Sequence, residues 1–257
     1  MNRKAYQSQI WVPALLSLIM IICHWIQWND WANLNQTFGV YPRTWRGLSG
    51  ILFSPFLHGD FQHLINNLWS FAFLTWALFH SYPKIATKVL GFGWLTVGAW
   101  TWVIAQGGYH IGASGIIYFL AVFIFLAGLI GKTKKHLALS LVVCFLHAGL
   151  IWGALPIESL FKNDLWKLSP EHLKQIQRMS WEGHLSGLLT GIVYAFYFKK
   201  ELKPIEKKPV DESIEIAKME EKYGKYFWDP EKRENYVSNS SEPIQIVYYF
   251  RPKKEEE

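Results

Sequence analysis

The sequence predicts an all-α integral membrane protein, with six membrane-spanning helices followed by a small cytoplasmic tail. Hydrophobic residues make up 51% of the 257 residues, and aromatic residues make up 17%. Only six of the 20 acidic residues fall in residues 1–198, and none lies between Asp60 and Glu158. A soluble domain rarely extends that far without carboxylates on its surface. We therefore expect residues 1–198 to form one domain embedded in a lipid bilayer.

Six mostly apolar stretches are each about 20 residues long, the length that a helix needs to cross the hydrocarbon core of a membrane. No small-residue cleavage site follows the first stretch, so we expect it to stay as a span rather than to be removed as a signal peptide. The predicted spans are 10–28, 62–80, 87–106, 114–131, 137–155 and 181–198.

Lysine and arginine in the short connections predict the orientation, because such residues are retained on the cytoplasmic side. These residues occur before span 1, in the connections between spans 2 and 3 and between spans 4 and 5, and after span 6. In chain order they are Arg3, Lys4, Lys84, Lys88, Lys132, Lys134, Lys135, Lys199, Lys200 and Lys203. Both termini are thus predicted to be cytoplasmic, and the long first and fifth loops lie on the opposite side. With no targeting sequence evident, we expect a bacterial inner (plasma) membrane.

The composition changes after Phe198, where a charged tail of residues 199–257 begins. Pro204 and Pro209 mark a linker, 211–223 has the pattern of one short amphipathic helix, and 244–250 has strand-like residues. The tail contains no recognisable catalytic motif. We expect a small cytoplasmic appendage that is partly helical or disordered.

Several other classes of protein and site are disfavoured. The positive charges form short clusters between apolar runs and no continuous patch, which argues against nucleic-acid binding. His58 and His63 would lie about 140° apart on a helix, and no H-E-x-x-H motif occurs, so we expect no metal. Cys23 and Cys144 lie within apolar runs, and we expect no disulfide between them.

Polar residues concentrate at the start of spans 2, 4 and 6, in residues 58–67, 112–115 and 183–191. Polar groups within spans are costly unless they pair or line a water-filled cavity, so they indicate function. The even-numbered spans all begin on the non-cytoplasmic side. The three stretches are therefore predicted to lie at one depth in the membrane.

Together the three stretches supply the groups of a nucleophilic site. Ser114 is the first residue of span 4 and has Gly112 and Gly115 close by in the chain, so the backbone can approach a substrate closely. The backbone N–H groups of the first helical turn have no partner within the helix and can bind an oxyanion. His184 on span 6 can take the serine proton as a general base. His63 and Asn67 are four residues apart, about 40° around a helix, so both can donate hydrogen bonds to one point.

Span 6 carries the small-residue spacing Gly187-x-x-x-Gly191, which lets two membrane helices approach closely. His184 lies about 60° from Gly187 around the helix and thus near the same face. If the neighbouring helix is span 4, His184 and Ser114 can meet. Glu182 is predicted to point about 160° away from His184, so it cannot orient the imidazole.

At this point the chain resembles the rhomboid intramembrane serine proteases over about residues 10–198, in the order and separation of its motifs. The residues that carry the resemblance are Trp45 and Arg46, His58, His63 and Asn67, Gly112, Ser114, Gly115 and Tyr118, and Gly183, His184, Gly187 and Gly191. The resemblance implies a six-helix rhomboid-like bundle. It also implies a Ser-His dyad that needs no cofactor and cleaves single-span or polytopic membrane-protein substrates, which would enter between spans 2 and 5.

By matching position, the resemblance implies a role for each residue. Ser114 would be the nucleophile and His184 the base, while His63, Asn67 and the backbone N–H of Ser114 would hold the oxyanion. Tyr118 would stack on His184. Further residues would support the site. Gly112 and Gly115 would let the backbone approach the substrate closely, and Gly187 and Gly191 would let two helices pack closely. His58 would pin the first loop with hydrogen bonds, and Trp45 and Arg46 would anchor that loop.

Plainer interpretations exist beside the catalytic one. Taken alone, Ser114 also fits a helix cap, and His184 fits a hydrogen-bonded histidine between two helices. A catalytically silent relative that binds transmembrane clients is a second hypothesis, although such proteins typically lack the serine or the histidine. A transporter would place polar residues at the midplane of several spans, whereas here they cluster at one end.

Overall fold

The computed structural model describes residues 3–156, 180–203 and 212–224. The chain divides into two compact units, Met1–Pro204 and Ile205–Glu257. Among the described residues of the first unit there are six long helices: α1 (Arg3–Trp28), α2 (Phe61–Ser81), α3 (Ala86–Ile104), α4 (Ser114–Gly131), α5 (Lys134–His147) and α6 (Trp181–Tyr197). The second unit contributes α7 (Glu212–Tyr223), and the strand expected at 244–250 lies outside the described residues.

Short helical turns connect the long helices of the first unit. The first loop contains Leu34–Phe38, Arg46–Leu48, Gly50–Phe53 and Ser54–Phe56; Leu150–Gly153 follows α5, and Lys199–Leu202 follows α6. The described residues thus form helices joined by loops, with one isolated β-bridge between Val40 and His110.

Side-chain caps explain where three of the long helices begin. The Asp60 carboxylate accepts from the backbone N–H of His63 at 2.8 Å, the Thr133 hydroxyl from His136 at 3.2 Å, and the Ser180 hydroxyl from Gly183 at 3.2 Å. Each cap satisfies one of the N–H groups that a helix leaves unpaired at its start. The caps of α2 and α6 therefore fix the helical register of residues in the polar stretches identified above.

Helix α4 lies at the centre of the first unit and packs against α6, α5, α2 and α3. Its side chains Phe119, Leu120, Phe123 and Ile124 are buried almost completely. On α6, Gly187 and Gly191 face α4, as their spacing predicts. A Cβ on Gly187 would collide with the carbonyl oxygen of Gly115, and one on Gly191 would lie 2.8 Å from that of Phe119.

Two helices of the described residues are long and apolar enough to cross a membrane, Gln7–Trp28 within α1 and Ser114–Gly131. The others are shorter or more polar. Helix α5 has 14 residues and α6 has 17, while a span needs about 20. Helix α2 has 21 residues, with His63, Asn66 and Asn67 in its first two turns.

The fifth apolar stretch differs most from its predicted bounds of 137–155. Helix α5 ends at His147, and the chain continues through Ala148 and Gly149 into the turn Leu150–Gly153. The backbone hydrogen bonds here join residues three apart, Ile151 to Ala148 and Trp152 to Gly149, both at 3.4 Å. A Cβ added to Gly149 would have no neighbouring atom within 4 Å. A glycine without packing weakens a helix by about 1 kcal/mol relative to alanine, which favours a break at this point.

Candidate active site

Ser114 is the first residue of α4 and is half-buried. Its Oγ lies 2.8 Å from Nε2 of His184, which is 6% exposed on α6. The two residues are 70 positions apart in the chain, and the close packing of α4 against α6 brings them together. A hydroxyl and an imidazole at this distance can exchange a proton.

The His184 ring is held from two further directions. The Tyr118 ring stacks on it, with centroids 4.3 Å apart and planes 6° from parallel. The Nδ1 atom lies 2.9 Å from the carbonyl oxygen of Gly153, in the turn that follows α5. A carbonyl oxygen can only accept, so Nδ1 carries the hydrogen and, in the neutral ring, Nε2 presents its lone pair to Ser114. This is the tautomer that a general base requires.

His63 and Asn67 lie beside the backbone that leads into Ser114. A Cβ on Gly112 would lie 2.8 Å from Nε2 of His63 and 3.5 Å from Nδ2 of Asn67. Gly112 also has φ of +102°, which side-chain-bearing residues rarely adopt. The Asn67 amide donates one hydrogen to the His63 carbonyl at 3.1 Å and retains a second N–H. Two side-chain donors thus lie close to the N-terminus of α4.

His58 is the residue expected to pin the first loop by hydrogen bonds. It is 1% exposed and packs edge-to-face on His63, with ring centroids 5.0 Å apart. Within the part of the chain that the structure describes, neither ring nitrogen makes a well-aligned hydrogen bond, although the Phe56 backbone in the first loop lies close enough to interact with the ring. Burial, with the His63 ring nearby, lowers the pKa of His58 to about 3 against a smaller opposing effect of the Phe56 backbone. A neutral ring packed on His63 limits the positions that His63 can take.

Arg43, which the sequence did not single out, fastens the first loop. Its Nη1 donates to the carbonyls of Val103 at 3.0 Å and Ala105 at 2.8 Å, at the end of α3. A cation at a helix C-terminus is favoured by the helix dipole. The indole N–H groups of Trp94 and Trp102 also donate to loop carbonyls, each at 3.0 Å. The sequence offered no sign that separated Arg43 from Arg46.

Trp45 and Arg46, expected to anchor the first loop, are both exposed, and Trp45 is 90% exposed. They stand where the turn Arg46–Leu48 begins, and the Arg46 carbonyl accepts from the Ser49 hydroxyl at 3.1 Å. Neither residue makes a hydrogen bond to Ser114 or His184 among the described contacts. Both side chains are exposed and can contact solvent or lipid.

A small cavity lies behind Ser114, between α3, α4 and the start of α6. Its volume is about 40 Å³, and Ser54, Thr101, His110 and Ser180 contribute polar groups to its lining. A cavity needs about 10–15 Å³ to hold one water molecule, so this one has room for two or three. Nδ1 of His110 and Oγ of Ser180 form a hydrogen bond of 2.6 Å in its wall.

Glu182 is turned away from His184, as its position on the helix predicts. Its carboxylate accepts from the backbone N–H of Gln106 at 3.2 Å and is thus directed at the segment after α3. Among the described residues, no group of three or more His, Cys, Asp or Glu side chains is arranged to hold a metal ion. The groups that the described residues bring to Ser114 include the His184 imidazole and the hydrogen-bond donors near Gly112.

The chain is similar to one family of domains and to several mycobacterial proteins. The sequence model of the Rhomboid domain matches residues 42–201. Uncharacterized proteins of Mycobacterium bovis and Mycobacterium tuberculosis are each 32% identical to this chain over 167 residues, 62% of this chain and 62% of each relative. An uncharacterized protein of Mycobacterium leprae is 28% identical over 155 residues, 58% of this chain and 55% of that protein. The matched region thus spans less than two thirds of these relatives.

Proposed function

Because this chain belongs to the rhomboid family of membrane proteins, we propose that it is a serine endopeptidase that cleaves peptide bonds in or near the transmembrane segments of other membrane proteins. The observation that carries the proposal is the pair of Ser114 Oγ and His184 Nε2, 2.8 Å apart, with the Nδ1 hydrogen directed at Gly153. A serine that merely caps a helix does not require an aligned base.

In the proposed reaction, Oγ of Ser114 attacks the carbonyl carbon of the scissile bond while Nε2 of His184 takes the hydroxyl proton. The imidazolium then gives this proton to the leaving amine, and an acyl-enzyme remains on Ser114. A water molecule, deprotonated by His184, then attacks the acyl-enzyme; the bond from the acyl carbon to Oγ breaks, the imidazolium returns the proton to Oγ of Ser114, and the second product leaves as a carboxylic acid. The cavity behind Ser114 has room to hold such water within a protein surrounded by lipid.

The proposed oxyanion site combines the backbone N–H of Ser114 with His63 and Asn67. Among the described residues no side chain caps the start of α4, where this N–H lies, and the His63 and Asn67 side chains lie beside Gly112, two residues before Ser114. In soluble serine proteases one such donor contributes about 3–4 kcal/mol of transition-state stabilisation. Substitution of a single donor should therefore slow the reaction without abolishing it.

We propose six spans with both termini in the cytoplasm. Large apolar side chains are exposed on helices other than the two apolar ones, including Trp69 on α2, Phe145 on α5 and Val193 on α6, which are 80%, 86% and 61% exposed. Patches of this kind suit contact with lipid. Leu150–Gly153 would complete the fifth span beyond α5, and the tail would be cytoplasmic. The bacterial relatives favour a bacterial plasma membrane.

Substrates would approach between α2 and α5, as the family resemblance implies. These helices meet through the stacked rings of Phe73 and His147, whose centroids are 6.3 Å apart. The exposed side chains of Trp69 and Phe145 belong to the same two helices. A transmembrane segment that entered there would bring a peptide bond toward the start of α4.

The test uses the full chain in lipid vesicles with a model single-span substrate. We expect cleavage by the unaltered protein, no cleavage by Ser114→Ala or His184→Ala, and a fluorophosphonate label on Ser114 that is lost in both variants. Ser186→Ala is the matched control, because this hydroxyl lies on α6 but donates to the Glu182 carbonyl. Cleavage that survives Ser114→Ala excludes the proposal, and substrate binding without cleavage favours a catalytically silent, client-binding relative.

A further inference from the structure

We propose that Gly153 is a positioning residue of the active site: its backbone carbonyl orients His184, and its lack of a side chain makes this contact possible. The inference rests on the proposed function, since it assigns a role to the imidazole as a base. In soluble Ser-His-Asp enzymes a carboxylate accepts the Nδ1 hydrogen, fixes the tautomer and stabilises the imidazolium. Here the Gly153 carbonyl occupies that position, 2.9 Å from Nδ1.

The absence of a side chain at Gly153 is the second part of the argument. A Cβ at this position would collide with the Tyr118 hydroxyl and would lie 3.3 Å from Nδ1 of His184. The Tyr118 ring already stacks on one face of the imidazole. A larger residue must therefore displace either the Tyr118 ring or the turn that carries the carbonyl, and both changes alter the orientation of His184.

The turn that carries this carbonyl is only partly buried. Ile151 and Trp152 are 56% and 60% exposed, whereas Leu150 packs on the core and Ala154, next to Gly153, is 2% exposed. Its own hydrogen bonds are long, such as Ala154 N–H to the Ile151 carbonyl at 3.3 Å. Contact with Tyr118 and His184 therefore adds to the restraint that the buried Ala154 places on Gly153. The end of the fifth apolar stretch, next to the proposed path of substrate entry, would then also set the geometry of the base.

The test compares Gly153→Ala with Gly149→Ala in the full chain, with vesicles and a single-span substrate. Gly149 lies four residues earlier in the same connection and has open space around its Cα, so it is a matched control for the gain of a methyl group. We expect Gly153→Ala to lower kcat by about 10- to 100-fold, the range for a base displaced by about 1 Å. KM should stay within about twofold, and Gly149→Ala should behave like the unaltered protein.

Two readouts separate positioning from simple destabilisation. Loss of the acceptor makes protonation of the imidazole harder, so the acid limb of kcat/KM against pH should move to lower pH in Gly153→Ala. In a Tyr118→Phe background the colliding hydroxyl is absent, so the added loss from Gly153→Ala should shrink. If Gly153→Ala alone folds poorly, the comparison in the Tyr118→Phe background still tests the inference.

Equal kcat and identical pH profiles for the Gly153→Ala and Gly149→Ala variants would overturn the inference. So would a loss of activity that is accounted for by a lower unfolding temperature and is the same in both Tyr118 backgrounds. If activity still depends on Ser114 in those experiments, the proteolytic function stands and only the role of Gly153 fails. Cleavage independent of Ser114 would remove the proposed function itself.

Discussion

No carboxylate stands behind the imidazole of His184 among the described residues. Glu182 is bound to the backbone of Gln106, and Nδ1 of His184 donates to a neutral carbonyl. A carbonyl fixes the tautomer as a carboxylate does, but it carries no full charge to stabilise the imidazolium. We therefore expect the proposed chemistry to be slower than that of a soluble triad, with Tyr118 supplying orientation by packing.

Substitution of Asn67 by alanine should lower kcat by about 10²–10³-fold, because it removes one proposed oxyanion donor. The measurement is cleavage of a single-span substrate at saturating concentration. The adjacent Asn66 is the matched control, because it is exposed and its Oδ1 accepts from Gln62 at 2.8 Å. Equal activity of Asn66→Ala and Asn67→Ala would exclude Asn67 from the oxyanion site.

His58 predicts a pH dependence of stability. Burial lowers the pKa of His58 from 6.5 to about 3, so the folded protein keeps the ring neutral while the unfolded chain takes up a proton below about pH 6.5. The stabilisation is present above pH 6.5 and is lost as the pH falls toward 3. Each such group adds up to about 1.4 kcal/mol per pH unit to the slope.

The measurement for His58 is the unfolding temperature in detergent between pH 7.5 and pH 5. In His58→Gln the fall of this temperature with pH should be less steep than in the unaltered protein. Burial also lowers the pKa of His110, so a residual slope should remain in the variant. Identical slopes in the two proteins would show that folding does not lower the pKa of His58.

Among the helices, the pair of α4 and α6 positions the dyad. Ser114 opens α4, His184 lies in the first turn of α6, and the Gly115 carbonyl lies against Gly187 with no room for a methyl group between them. Because the backbones of α4 and α6 are in direct contact, neither helix can shift without moving the other, and the side chains of Ser114 and His184 keep their relative position. The distance from Ser114 to His184 is thus a property of the helix pair.

Gly187→Ala should destabilise the protein by about 1–3 kcal/mol, because the new methyl group overlaps the Gly115 backbone and forces the helices apart. It should also abolish most of the cleavage activity. Gly91→Ala on α3 is the control, since nothing lies within 4 Å of a Cβ there; in a helix it should be neutral or stabilising. Unfolding temperature and cleavage rate test both, and equal behaviour of the two variants would contradict the packing argument.

At the scale of the whole molecule, membrane topology decides which compartment reaches Ser114. In a background that lacks Cys23 and Cys144, we expect Gln106→Cys to react with a membrane-impermeant maleimide in intact cells. Lys134→Cys should react only after the membrane is opened. Both positions are exposed, and the first lies in the loop on the proposed outer side. Labelling of both positions in intact cells would contradict the six-span topology.

Family membership and the all-helical fold were predictable from the sequence, and the family comparison confirms the first. The absence of acidic residues over most of residues 1–198 is a direct consequence of a lipid environment. The three polar stretches were also visible, because polar residues are rare within such spans. The break after His147 was not predicted, since Gly149 within an apolar run does not by itself indicate where hydrogen bonding changes.

Local composition and spacing determined the class of this protein and the candidate groups of its site, because hydropathy and helical periodicity depend on residues close together in the chain. Tertiary packing alone decided that Nδ1 of His184 meets the Gly153 carbonyl, that His58 is enclosed beside His63 and that Arg43 rather than Arg46 holds α3. Those contacts join segments 31 or more residues apart or depend on complete burial. No local pattern encodes them.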